Sequence, residues 1–186
     1  MVLLNRIYTR QGDKGRSRLA NGQQVSKASP RLEAIGAVDE LNAHIGWARL
    51  EAGESALAAV LGRVQNDLFD LGADLATPAK RASGEPLRII PAQVEGLERE
   101  IDALNAELPP LTSFILPGGG RASVALHLAR TVCRRAERRL VSLIEDGAEA
   151  HYEALRYLNR LSDLLFVAAR SAAAGGDTLW VPGANR

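Results

Sequence analysis

The sequence predicts an all-α protein, a five-helix up-and-down bundle led by a loop segment over residues 1–28. Apolar residues recur at offsets of three and four in five separate stretches, the signature of helices that each bury one stripe. An alternating period long enough for a useful strand occurs nowhere. The links between the periodic stretches are short, which favours neighbouring helices running in opposite directions.

Residues 1–28 lack a helical period and hold several glycines, so they read as a loop. Helix one starts at Ser29-Pro30, a capping residue followed by a proline whose fixed φ suits the first helical position. Its inner face is Ile35, Val38, Leu41, Ile45 and Ala48, and Gly53 lies just past its end. Helix two runs from Ser55 to Ala76, with Leu57, Leu61, Val64, Leu68, Leu71 and Leu75 in a heptad-like seam. Thr77-Pro78 ends it, and the stretch through Pro86 is polar and rich in turn formers. Helix three begins near Pro91 with Val94, Leu97, Ile101, Leu104 and Leu108 inward. Glu95, Glu98, Glu100, Asp102 and Glu107 make its other faces solvated, and Pro109-Pro110 stops it. Helix four spans Arg121 to Glu145, with Ala125, Leu128, Val132, Ala136 and Leu143 inward. Helix five spans Glu149 to Ala173, with Leu155, Leu158, Leu161 and Leu165 inward. One domain therefore covers 1–186: the loop segment, the bundle over 29–174 and a tail over 175–186.

The bulk properties narrow the function classes. A chain of 186 residues buries roughly 70% of its unfolded surface and needs no disulfide or metal staple. No apolar run approaches the roughly 20 residues of a membrane span, and the first residues turn polar too soon for a secretory leader. Cys133 is the single cysteine, which fits a reducing, cytoplasmic setting. The net charge is only +1, but residues 1–31 carry Arg6, Arg10, Lys14, Arg16, Arg18, Lys27 and Arg31 against Asp13 alone. Nucleic acid or a nucleotide polyphosphate would answer that charge. Aromatic residues at 4% disfavour a base-stacking platform.

Five groups of residues are candidates for chemistry. From Leu116 to Arg139, a turn of Gly118, Gly119 and Gly120 leads into a helix on which Arg130, Arg134 and Glu137 share one side. That stripe is either an anion site or a solvated basic face with Glu137 as an intrahelical partner. In the N-terminal stretch Thr9, Arg10, Gln11, Gly12, Asp13, Lys14, Gly15, Arg16 and Ser17, the glycines let backbone N–H groups approach phosphate oxygens. It is neither a Walker A loop nor a dinucleotide fingerprint, and an ordinary polar turn is the alternative. Helix one carries Arg31, Glu33, Asp39, Glu40 and Asn42, for which solvation or capping is the simpler reading. Helix five carries Tyr152, Arg156, Asn159, Asp163, Phe166 and Arg170, either a cleft wall or an ion-paired outer face. Phe114 precedes the glycine turn, where most aromatics are core. His44, His127 and His151 are scattered without H-E-x-x-H spacing, so no protein-ligated catalytic metal is expected. A G-x-S-x-G elbow is absent, and Cys133 sits mid-helix with no evident base.

Six segments occur together in one order: IYTRQGDKGRSRL (7–19), SPRLEAIGAVDELNAHIG (29–46), VQNDLFDLGADLA (64–76), FILPGGGRASVALHLARTVCRRAERRL (114–140), YLNRLSDLLFVAAR (157–170) and LWVPG (179–183). In this the chain resembles the PduO-type ATP:cob(I)alamin adenosyltransferases, also called corrinoid adenosyltransferases. The resemblance implies a homotrimer with active sites between subunits, and a nucleotide-binding N-terminal loop around the ATP triphosphate. By match, Thr9, Arg10, Gly12, Asp13, Lys14, Gly15, Ser17 and Lys27 serve that loop. Arg130, Arg134, Glu137 and Asn159 match nucleotide-binding and catalytic positions. Asp39 matches an acid that pairs with Arg130 across the subunit boundary, and Phe114 the aromatic under the corrin that keeps the base off cobalt. Gln11 and Arg16 stand where the family usually has threonine, which bears on hydroxyl contacts and magnesium geometry, and Gly118 stands where some members have serine. The implied reaction is attack of cob(I)alamin on C5′ of ATP with triphosphate leaving, Mg²⁺ arriving with the nucleotide, and no general base. A cobalt reductase and an adenosylcobalamin-dependent enzyme are the implied partners, with neither nucleic acid nor membrane. Two other readings compete: a non-catalytic bundle that binds nucleotide or nucleic acid to regulate a partner, and a carrier that delivers adenosylcobalamin.

Overall fold

Local chemistry sets the helix ends. Ser29 accepts a hydrogen bond from the Leu32 amide at 3.4 Å and Pro30 follows, so α1 spans Pro30–Ala52 and closes on Gly53. Ser55 caps α2, Ala56–Ala76, by accepting from the Ala58 amide at 3.2 Å. Then come α3, Pro91–Ala106, α4, Arg121–Glu145, and α5, Tyr152–Ser171. This computed structural model describes residues 7–78, 86–148 and 152–186. The predicted start of helix five at Glu149, most of the turn-rich stretch before Pro86, Arg6 and His151 lie outside the described residues.

The five helices form the predicted bundle, and their directions alternate. Glu51, Glu40 and Glu33 of α1 face Arg121, Arg135 and Arg139 of α4 in inverse order, so the two run antiparallel. Glu98 binds Arg160 at 3.0 Å, and the Pro109 carbonyl accepts from Arg170 at 2.7 Å, so α3 and α5 run parallel. Neighbours in space follow the order α2, α1, α4, α5, α3. Ion pairing of Arg63 with Glu100 and the bond from Gln93 to Asp67, at 2.8 Å, join α2 to α3. The link from α3 to α4 therefore passes the C-terminal end of α5 and does not join adjacent helices.

Two predicted inner faces need correction. Leu128 is 40% exposed, while Leu126, Ala129, Cys133 and Leu140 are buried. Helix α4 is packed between α1 and α5, so its buried arc is wider than one stripe and is centred away from Leu128. Helix α5 buries Ala154, Tyr157, Leu158, Leu161, Ser162, Leu164, Leu165, Val167, Ala168, Ala169 and Arg170, far more than one leucine line. It lies between α3 and α4, and its Tyr157 hydroxyl also reaches Asp67 of α2 at 2.9 Å. Each leucine so enclosed stabilises the fold by roughly 1.5–3 kcal/mol.

The ends of the chain are more structured than predicted. Residues Arg16–Arg18 (β1) and Gln24–Ser26 (β2) form an antiparallel hairpin, too short to show an alternating pattern. Buried Leu19 anchors it, and the Ala20 amide and Arg31 guanidinium donate to the Ala76 and Leu75 carbonyls at 3.0 and 2.7 Å. Those bonds satisfy carbonyls left open at the end of α2. The tail pairs with the approach to α4: the Leu116 amide donates to Thr178 at 2.8 Å, and the Trp180 amide to Phe114 at 2.7 Å.

Candidate functional site

The leading segment folds into a cationic concavity. The Lys27 amide donates to the Gly15 carbonyl at 2.9 Å, and the Gly15 amide donates to Gly12 at 3.1 Å. This folds the chain back so that the Lys27 ammonium lies over Gly12, where a Cβ would come within 2.9 Å of Nζ. Thr9, Gln11, Gly12, Ser17, Arg18 and Lys27 line a hollow of about 220 Å³ that contains no acidic side chain. Asp13 and Lys14 are exposed and stand outside its wall. Arg10 adopts φ 61 and places its guanidinium 5.7 Å from the Tyr8 ring centre. Arg16 borders the hollow but donates to the Gln24 carbonyl at 3.0 Å, so this departure from the family pattern fastens the hairpin.

The helical stripe is an unpaired cation pair. Glu137 accepts from Asn159 of α5 at 2.9 Å. Among the described residues, neither Arg130 nor Arg134 has a carboxylate partner. The expected intrahelical pairing of the stripe with Glu137 therefore does not form, because that carboxylate is taken by Asn159. Burial, then the adjacent Arg134 charge, pulls the Arg130 guanidinium below the usual arginine value. Arg130 remains a cation at neutral pH. Arg134 itself is exposed, and Arg130 is half-buried with its Nε unpartnered.

Arg130 opens onto a cavity of about 740 Å³. Phe114, Ile115, His127, Phe166 and Trp180 line its walls. Phe114 is 78% exposed, contrary to the core reading of that position, and its ring lies 6.0 Å from Trp180 at 56°. His127 meets Phe166 edge-on at 6.4 Å. Gly119 lies in the turn that leads into α4. Its φ is +87, and a Cβ there would lie 2.6 Å from the Ala173 Cβ, so only glycine lets the turn sit against the end of α5. Arg170, predicted as part of a polar stripe, is buried and binds Asp177 at 2.9 Å, which anchors the tail.

The remaining stripe members take other roles. Arg156 pairs with Glu153 and Asp163 with Arg160, both within α5. Asn42 is buried and donates to the Gln65 carbonyl at 3.1 Å. Asp39 is exposed, and within one chain the structure does not pair it with Arg130. The loop hollow and the aromatic cavity share no residue. His127 and Trp180 were missed as site residues. Their only advance signs were the offset of three between His127 and Arg130, and the LWVPG segment.

The bundle thus carries a cationic glycine loop, two arginines without a carboxylate partner among the described residues, and a broad aromatic cavity, an arrangement suited to an anionic group beside a wide apolar surface. Sequence comparison specifies it further. The cobalamin adenosyltransferase family model matches residues 7–172, and the chain belongs to that family. A corrinoid adenosyltransferase of Mycobacterium bovis is 48% identical, covering 100% of this chain and 97% of its own. A cobalamin adenosyltransferase of Cupriavidus metallidurans is 50% identical, covering 95% of each. The fold matches a phenylalanine-to-alanine variant of the PduO-type ATP:corrinoid adenosyltransferase from Lactobacillus reuteri, complexed with cobalamin and ATP. The TM-score is 0.87 at 39% identity, over 94% of this chain and 99% of that one.

Proposed function

We propose that this chain transfers the 5′-deoxyadenosyl group of ATP to the cobalt of cob(I)alamin, giving adenosylcobalamin and triphosphate. The observation that carries it is a pair of arginines on α4, Arg130 and Arg134, without a carboxylate partner among the described residues, the first of which lines the aromatic cavity of about 740 Å³. In the reaction, cobalt forms a bond to C5′ of ATP as the bond from C5′ to the triphosphate oxygen breaks. The electron pair leaves with the triphosphate, so anionic charge grows there. Cations already aimed at that charge need no reorganisation, and losing one such contact costs roughly 3–4 kcal/mol. Arg130 and Arg134 supply it from the bundle and Lys27 from the loop hollow, and Lys14, which stands outside that hollow, turns in on binding. The Glu137–Asn159 bond fixes the nucleotide side of α4 against α5. Holding C5′ over cobalt makes a bimolecular step local, an effect of up to about 7–11 kcal/mol. Phe114 presents an apolar face to the corrin, which favours loss of the axial base before reduction. No proton transfer is needed, in keeping with chemistry centred on placement and field.

Magnesium would accompany the triphosphate in this reading, and Thr9 and Ser17, which line the hollow, would be the residues to hold it. It neutralises phosphate charge. Among the described residues no group of three or more His, Cys, Asp or Glu side chains converges as a metal cage.

The active unit is a homotrimer with sites between subunits. Three features support this: the hollow and the cavity share no lining residue, Asp39 is exposed with no ion-pair partner among the described residues, and Trp47, Val124 and Leu128 expose apolar surface. The cytoplasm is the compartment, where ATP and reductant meet. No described helix is long and apolar enough to cross a membrane. A cobalt reductase would supply the substrate and an adenosylcobalamin-dependent enzyme would consume the product.

The visible spectrum of reduced cobalamin with the protein, ATP and Mg²⁺ tests the activity. Conversion to the spectrum of the adenosylated form is expected. An unchanged spectrum with folded protein would reject it in favour of a nucleotide-binding regulator.

A further inference from the structure

Strand β1 brings two further cations to the loop hollow. Arg16 and Arg18 lie two positions apart on it, so their side chains leave the strand on the same face. Both are exposed, and both line the hollow with Lys27, Thr9 and Ser17. Arg16 donates to the Gln24 carbonyl at 3.0 Å, and Arg18 to the Gly22 carbonyl at 3.4 Å. A guanidinium has several N–H donors, so each arginine keeps donors to spare. Among the described residues no carboxylate forms an ion pair with Arg16, Arg18 or Lys27, and none lines the hollow.

This wall selects its ligand by charge and shape. A concavity lined by one sign of charge concentrates ions of the other sign. The remaining lining groups, the hydroxyls of Thr9 and Ser17 and the amides of Gln11 and Gln24, also bind oxygen. Each arginine fork matches two oxygens of one phosphoryl group, so two forks and an ammonium suit a string of phosphoryl groups better than one small anion. The reaction offers that string twice, as part of ATP and as the free product. When the bond from C5′ to oxygen breaks, the oxygen stays with the triphosphate and becomes charged. Free triphosphate therefore carries more charge than the same group in ATP, and fixed cations hold it more strongly.

We propose that Arg16 and Arg18 make the hollow a retention site for free inorganic triphosphate, which therefore competes with incoming ATP. This rests on the adenosyltransferase reading above, in which neither arginine is among the residues matched to the nucleotide loop. Both are product-binding residues here and touch no reacting atom.

The test uses the whole chain. Sodium tripolyphosphate is titrated by calorimetry, in Mg²⁺ buffer without ATP or cobalamin, into wild type, Arg16→Gln and Arg18→Gln. Its inhibition constant against ATP and the KM for ATP are measured in the adenosylation assay. Glutamine keeps a donor for the neighbouring carbonyl and removes the charge. Wild type should bind one tripolyphosphate per chain, and citrate at matched ionic strength should displace little of it. Each substitution is expected to weaken tripolyphosphate about tenfold, the usual effect of losing a bond to a charged group, and to raise KM for ATP by a smaller factor. No binding by wild type, equal displacement by citrate, unchanged binding in both variants, or equal rises in the inhibition constant and in KM for ATP would each overturn the proposal. The adenosyltransferase reading survives all four, because wild type still adenosylates reduced cobalamin. A wild type that binds tripolyphosphate but never adenosylates reduced cobalamin overturns that reading and the retention of its product together. Should Arg16→Gln not fold, Arg18→Gln decides, since the bond it gives up is long at 3.4 Å. Weakened tripolyphosphate binding in that variant supports the assignment, and binding equal to wild type rejects it.

Discussion

At the scale of single residues, function and stability separate cleanly. Arg134 is exposed and supports no other side chain, so Arg134→Ala should leave the melting temperature near wild type. The same change should lower kcat about 10²–10³-fold, the usual cost of losing a charge contact aimed at a transition state. Circular dichroism and steady-state kinetics on one preparation check both halves, and near-normal kcat would remove Arg134 from the site. Gly119 is the opposite case. Gly119→Ala puts a Cβ into Ala173 at a left-handed φ, so stability should fall by about 1–3 kcal/mol in a urea melt. Cys133 donates to the Leu158 carbonyl at 3.2 Å, and burial pushes its thiol well above the usual cysteine value. It should therefore resist thiol reagents in the native protein and react only as fast as α4 and α5 separate. Rapid labelling under native conditions would contradict that packing.

Helices and their contacts carry the next predictions. Tyr157 of α5 is fully buried and donates to Asp67 of α2. Burial first, and then the Asp67 charge, raises its phenol well above the ordinary value. A raised folded-state pKa means the neutral form is favoured in the fold. That contribution is complete below the unfolded pKa of about 10 and is lost as pH rises above it. The melting temperature of wild type should fall above that point more steeply than that of Tyr157→Phe, and parallel curves would count against the contact. Arg170 ties the end of α5 to Asp177 and to the Pro109 carbonyl, so it holds the tail that carries Trp180. Arg170→Ala leaves a largely buried carboxylate unpaired, a loss of about 3–5 kcal/mol in breaking such a pair. If folded, that variant should also show a raised KM for cobalamin, because the wall behind Phe114 loosens.

For the assembled molecule, the proposal places one active site across two protomers, and subunit mixing tests it. Asp39→Ala and Arg134→Ala should each be poorly active alone. Exchanged in equal amounts, about a quarter of the sites would receive both intact residues from different chains. Activity rising to that fraction is expected, and activity that stays at the average of the parents would place the whole site in one chain. The bundle was legible before its structure because its determinants are local. Ser29-Pro30, Ser55 and Gly53 act within one turn, and a stripe such as Leu61, Val64, Leu68 and Leu71 lies within a short window. The glycine loop and the arginine stripe were legible for the same reason, being contiguous or one to two turns apart. What the helix α5 stripe meant was not legible: Arg170 faces a buried acid, Phe166 a cavity and Asn159 the carboxylate of Glu137. The amino-acid sequence alone thus determined five helices, the capped starts of the first two and which residues bear charge, since those depend on neighbours three or four positions away. Tertiary structure decided that α5 is enclosed on most sides, that Trp180 and His127 meet Phe114 at one cavity, and that Arg16 fastens a hairpin. Those outcomes depend on contacts between residues up to 90 positions apart, such as Tyr157 with Asp67, which only the packing of the whole chain brings together.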